Sequence, residues 1–225
     1  DTGVLRALFA PLVSTVLDEF LPAGDPFLAS LRPLESERLW VLLLSLRDLE
    51  VARSGFQVVT EVARQVNIGP LALSIRLDRV DRLEEGGELV IDYKTGRFAP
   101  AGWKRSRLQE SQLPLYAVTG RSRGVAVIQL RPPAAQLRGV GDDALGISGL
   151  KSAAAFFREE DLSWNGTLLR WQVQLENLAG EFAAGDFRVD PADRQWAIGQ
   201  FAGLTRIHEF LPVTDEVDSA DGADE

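Results

Sequence analysis

An α/β fold, with a small mixed β-sheet flanked by helices, is predicted for this 225-residue chain by three observations. Alternating, valine-containing segments stand at 56–66, 71–83 and 88–94. Gly69-Pro70 and Glu84-Glu85-Gly86-Gly87 separate them, turn chemistry that closes consecutive strands into an antiparallel meander. Segments with helical spacing precede and follow this block. No period of about 20–50 residues repeats, which argues against a solenoid or propeller.

The elements follow in order. Residues 4–20 space Leu8, Leu12, Val16 and Phe20 four apart, and Pro11 within them predicts a kink or a helix start. PAGDP at 22–26 reads as a turn. Residues 35–53 place Leu39, Leu42, Leu46 and Leu49 on one helical face, with Gly55 beyond as a stop. After the three strands, 108–118 reads as a helix that packs near Asp92, and Val125–Leu130 as a buried strand joining the sheet, closed by Pro132-Pro133. Residues 133–162 show no clear pattern. Ser163–Phe182 is the best helix of the chain, with Trp164, Leu168, Trp171, Leu175, Leu178 and Phe182 at steps of three and four. A last helix is expected at about 194–209. The expected organisation is one domain over 1–210, with a core at about 50–131 and helical flanks at 1–49 and 163–210. An acidic, disordered tail at 211–225 follows.

Composition narrows the chemistry. The chain has no cysteine and one histidine, His208, so thiolate sites, disulfides and multi-histidine zinc sites are excluded. A metal would need oxygen ligands, as magnesium, manganese or calcium does. The longest apolar run, Leu39–Leu44, is far short of the ~20 residues of a membrane helix. No leader pattern is visible, so a cytoplasmic setting without membrane is expected. The chain begins at Asp1 and contains no methionine, which suggests a piece of a longer protein or an engineered sequence. The net charge of −9 argues mildly against generic coating of nucleic acid, but the tail carries six acidic residues and no basic one. The body is therefore near neutral and can carry a local basic groove.

The densest chemistry lies in residues 73–96. Asp92 and Lys94 are two apart and share one strand face. A tight hairpin brings the preceding strand within about 5 Å, so Asp78 can stand opposite Asp92. Adjacent carboxylates repel unless a cation neutralises them, and a neighbouring lysine suits metal-assisted phosphodiester hydrolysis. Exposed Asp–Arg salt bridges of little worth are the competing reading of such a hairpin. Against it, Asp92 interrupts the apolar run Leu89-Val90-Ile91, where an ionised group needs a partner.

Three motifs carry a resemblance. Arg76-Leu77-Asp78-Arg79-Val80-Asp81, then Val90-Ile91-Asp92-Tyr93-Lys94-Thr95-Gly96, then Gln112-Leu113-Pro114-Leu115-Tyr116 resemble, in order, spacing and type, the signature of the RecB-like branch of the PD-(D/E)XK nucleases. Leu49-Glu50, Arg53, Phe56 and Glu61 are similar to the segment that leads into the nuclease strands of AddB-like proteins, among them probable DNA repair proteins. There the nuclease ends a larger helicase-like chain, and this sequence has no phosphate-loop motif of its own. The resemblance implies a restriction-endonuclease-like core and Mg2+- or Mn2+-dependent hydrolysis of DNA. The partners it implies are DNA and a helicase-like region of the parent chain or a partner helicase–nuclease subunit. It implies Asp78, Asp92 and the Tyr93 carbonyl as metal ligands, Lys94 as the catalytic lysine and Glu61 as the acidic residue before the core hairpin. Gln112, Tyr116 and Arg79 would face nucleic acid; Gln112 and Tyr116 lie one helical turn apart.

Two departures accompany it. Many RecB-like nucleases carry a histidine on an amino-terminal helix, and here Leu5 or Arg6 stands near that place. AddB-like relatives often close an iron–sulfur cluster near the end. Here Trp196, Gly199 and Thr205 stand where cysteines would, so no cluster is expected. A degenerate nuclease kept for DNA binding or as a scaffold is the alternative reading.

Overall fold

The computed structural model describes residues 2–22, 24–158 and 160–186, together with Gly203. The chain divides into two compact units, Asp1–Gly180 and Glu181–Glu225. The expected helix at 194–209, the three replaced cluster positions, His208 and the acidic tail at 211–225 lie outside the described residues, Gly203 excepted.

The first unit is built on one six-stranded mixed sheet in sequential order. Strands β1 (Phe56–Ile68), β2 (Leu71–Leu83) and β3 (Glu88–Lys94) form the antiparallel meander. Strand β4 (Ser122–Gln129) then joins β3 in parallel, pairing Asp92 with Val127 and Lys94 with Gln129. Strand β5 (Gln136–Gly141) returns antiparallel to β4, and β6 (Leu150–Ser152) runs parallel to β5. The loop between β2 and β3 works because Gly87 takes φ +84, and any Cβ there would stand 2.6 Å from the Arg123 side chain.

Helices cover both faces. One apolar cluster joins Leu77, Val80, Val90, Val125, Val127 and Val140 to helices α3 (Gln112–Val118) and α5 (Trp164–Ala183). The other joins Leu89, Ile91, Ala126, Ile128 and Leu137 to Leu46 and Leu49 of helix α2 (Pro26–Val51). Trp103 anchors the crossover between β3 and α3. Its ring is fully buried, 5.9 Å from that of Trp171, and its indole N–H donates to the Glu110 carbonyl. No helix among the described residues is long and apolar enough to cross a membrane.

Several boundaries differ from expectation. Helix α1 (Thr2–Phe20) runs through Pro11 rather than starting there, and the Thr15 hydroxyl donates to the Pro11 carbonyl. Helix α2 begins nine residues before 35, because Asp25-Pro26 is its cap and first residue rather than only a turn. Asp25 Oδ1 accepts from the backbone of Phe27 and Leu28 at 2.8 and 3.1 Å. Helix α3 is shorter than 108–118, since Glu110 at φ +53 cannot continue a right-handed helix. The segment 133–162, without visible pattern, holds β5, β6 and the short helix α4 (Ala153–Phe156). Gly139 within it serves close approach: a Cβ there would stand 2.1 Å from the Val125 carbonyl oxygen.

Candidate active site

The site is assembled where β2 and β3 meet. Asp92 projects from β3 onto the α3 side of the sheet, between Val90 and the paired Val127. Its side chain is 4% exposed. Lys94, two residues on, places Nζ 3.0 Å from Asp92 Oδ2. The pair is an ion pair without good hydrogen-bond alignment, so the buried Oδ2 makes no well-aligned hydrogen bond. Burial pushes the Asp92 pKa above the ordinary carboxylate range; Lys94 opposes the shift and Asp78 adds to it.

Asp78 reaches the site from β2. The β2–β3 ladder pairs Arg79 with Ile91, and one step further brings Asp78 level with Asp92. The Tyr93 backbone N–H donates to Asp78 Oδ2 at 3.3 Å. Ile75, Leu77 and Val80 all pack into the same cluster, so the two-residue alternation of β2 slips once across Asp78. Opposite, on β1, Glu61 takes φ +53, and the ladder omits the Glu61–Asp78 step. The Glu61 carboxylate is paired instead with Arg76 at 3.1 Å, and both side chains are exposed. Glu61 thus stands beside Asp78 in register without joining its carboxylate to the pair.

Helix α3 supplies the next layer. Lys94 Nζ donates to Gln112 Oε1 at 3.3 Å, Gln112 Nε2 donates to the Tyr116 hydroxyl at 3.1 Å, and Tyr116 donates to the Arg76 carbonyl at 2.9 Å. One helical turn therefore ties the lysine back to β2 through a buried tyrosine.

The pattern of a family described as the PD-(D/E)XK nuclease superfamily matches residues 5–195. The chain belongs to the PD-(D/E)XK nuclease superfamily. Nine solved chains also match, among them one titled "Crystal structure of SSO0001", at 15% identity and a TM-score of 0.35, over 92% of this chain and 96% of that one. No curated protein matches. Members of the superfamily are generally hydrolytic nucleases that typically use divalent metals, and the sheet flanked by helices is consistent with their restriction-endonuclease-like fold.

The residues of this PD-(D/E)XK chain fit such a metal in one respect. A desolvated carboxylate oxygen without a well-aligned donor, next to a second carboxylate, is stabilised by a hard cation. Among the described residues no group of three or more histidine, cysteine, aspartate or glutamate side chains forms, so the remaining ligands would be water or main chain.

The opposite face of the same hairpin holds a cluster whose role sequence reading missed. Arg79 and Asp81 share that face and are buried. Arg79 donates to Asp81 through Nε at 2.6 Å, to both Glu50 oxygens at 2.8 Å and to the Tyr93 hydroxyl at 3.1 Å. Burial alone would lower its pKa; the bonds to Glu50, Asp81 and Tyr93 outweigh this and raise it. Arg53 Nη2 donates to Asp81 at 2.6 Å, and its guanidinium lies 4.4 Å from the Phe56 ring centroid. Arg79, expected to contact nucleic acid, is enclosed here and turned away from Asp92. The available signal was alternation: within D-R-x-D, Arg79 and Asp81 are two apart and share a face.

Proposed function

We propose that this chain is a Mg2+- or Mn2+-dependent deoxyribonuclease domain of the RecB-like, AddB-like kind, acting in recombination or repair beside a helicase-like region or subunit. The observation that carries the reading is the buried Oδ2 of Asp92, which lies beside Asp78 and Lys94 and makes no well-aligned hydrogen bond. Asp78, Asp92 and the Tyr93 carbonyl would hold the cation. When bound, the ion supplies Lewis-acid polarisation of a phosphoryl group and a more acidic water.

The chain's own groups do the rest. Lys94 donates to the phosphoryl oxygen or the attacking water, where negative charge develops. Gln112 fixes the ammonium and Tyr116 fixes Gln112, so the lysine is positioned before substrate arrives. Apolar walls at Val90 and Val127 keep bulk water from Asp92.

A second reading, a nuclease fold kept for DNA binding or scaffolding, draws on one observation: the Glu61 carboxylate is spent on Arg76. Single-turnover cleavage of single- and double-stranded DNA with Mn2+ separates the two. Lys94→Ala and Asp92→Ala are expected to cleave at least about 100-fold more slowly than the parent protein, the loss typical of removing one electrostatic donor. Equal rates in all three proteins, with DNA binding retained, would favour the scaffold reading.

A further inference from the structure

At the carboxyl ends of the parallel strands β3 and β4 lies a cavity of about 430 Å³. Three arginines line it, Arg97, Arg131 and Arg138, with Gln129 and Gln136 between them and no acidic side chain. Among the described residues Arg97 and Arg131 make no hydrogen bond or ion pair, and Arg138 donates only to Gln136, at 2.7 Å. Three uncompensated guanidinium groups around one opening repel each other unless an anion enters. On a chain of net charge −9, such a grouping is not a general property of the surface.

Register ties this cavity to the carboxylates. Across β3, β4 and β5 one row runs Asp92, Val127, Arg138, and the next runs Lys94, Gln129, Gln136. Two strand spacings separate Asp92 from Arg138, about 10 Å. At the duplex rise of roughly 3.4 Å per nucleotide, that is on the order of three nucleotides. Gln129 Nε2 donates to the Gly96 carbonyl at 2.5 Å, which fixes the turn that carries Arg97. The guanidinium fork matches phosphate oxygens two at a time.

We infer that this cavity holds the phosphodiester backbone of the strand being cut, with Arg97, Arg131 and Arg138 as its phosphate contacts. The assignment rests on the nuclease reading of Asp92 and Lys94, because it takes the strand to run from those residues across Gln129 into the cavity.

The test compares the parent chain, Arg138→Gln, the triple variant Arg97→Gln/Arg131→Gln/Arg138→Gln and a control, Arg82→Gln, an exposed arginine on β2. Binding of a labelled single-stranded oligonucleotide is measured in Ca2+ over a range of salt, and single-turnover cleavage in Mn2+. Thermal melts check that each variant folds, and the single variant keeps the test valid if the triple does not. The triple variant is expected to bind at least about tenfold more weakly, with the slope of log K against log salt smaller by about 2, from three lost contacts at about 0.7 each. Arg138→Gln should reduce the slope by about 0.7. Arg82→Gln should match the parent. Binding and salt slope equal to the parent in a folded variant would overturn the assignment while leaving parental cleavage, and the nuclease reading, intact. Loss of binding in the variants, with no cleavage even by the parent, would keep the phosphate track and remove the nuclease reading. A mononucleotide that competes as well as the oligonucleotide would assign the cavity to a free phosphate compound and overturn the strand track.

Discussion

The two faces of the β2–β3 hairpin bury acidic side chains in opposite ways. On the α2 side, Asp81 is fully enclosed and both its oxygens accept from guanidinium groups of Arg79 and Arg53. On the α3 side, Asp92 is almost as deeply buried, yet one oxygen has only a poorly aligned lysine beside it. A buried charge whose lone pairs are filled by the protein is a structural joint; one whose lone pair is left open is a place for something from outside. The same hairpin thus carries its scaffold on one face and its candidate chemistry on the other, and breaking each should give a different signature.

The largest effect is expected on the scaffold face. Asp81→Ala leaves Arg53 and Arg79 to share Glu50, and loss of one partner of such a buried cluster costs about 3–5 kcal/mol. Denaturant unfolding should show that loss, with a melting point lower by roughly 10 °C. A change within error of zero would mean that the cluster is not a joint.

The open face should respond in the other direction. The native-state pKa of Asp92 lies above the ordinary carboxylate value, chiefly through burial. The folded chain therefore holds this proton over a range in which the unfolded chain has released it. The contribution is fully present below the ordinary carboxylate pKa and is lost as pH rises through the raised one. In chelator, stability should fall over that window. Asp92→Asn should remove this part of the pH dependence and raise the melting point at neutral pH. Thermal melts in chelator between about pH 4 and pH 8 check both; a variant that melts lower than the parent at neutral pH would contradict the picture of an open carboxylate.

A smaller effect sharpens the link between α3 and the lysine. Tyr116→Phe removes the hydroxyl that accepts from Gln112 and donates to the Arg76 carbonyl. The expected cost is about 1 kcal/mol in stability, and cleavage should slow less than with Lys94→Ala, because the tyrosine acts on the lysine only through Gln112. A loss as large as that of Lys94→Ala would give Tyr116 a direct role.

The hairpin was legible because its rules are local. Alternation, Gly69-Pro70 and Gly86-Gly87 place β2 and β3 to the residue, and i, i+2 geometry puts Asp92 and Lys94 together. What stayed hidden depends on distant or non-local facts. Arg79 takes its partner Glu50 from a helix 29 residues earlier, and the alternation of β2 slips at Asp78, so D-R-x-D shows that Arg79 and Asp81 share a face but not which side of the sheet that face is on. Glu61 and Glu110 adopt left-handed backbone that no side-chain pattern announces. Strand β5 is six residues long with two glycines chosen for close contact with β4, and it leaves no alternation to read.

The most direct measurement is calorimetric titration of Mn2+ into the parent chain, Asp92→Ala and Asp81→Ala, each shown to be folded. The parent is expected to bind weakly, as two carboxylates with several retained waters would. Asp92→Ala should lose the heat of binding, and Asp81→Ala should keep it. Binding unchanged in Asp92→Ala would contradict the claim that its open carboxylate oxygen is the seat of the cation.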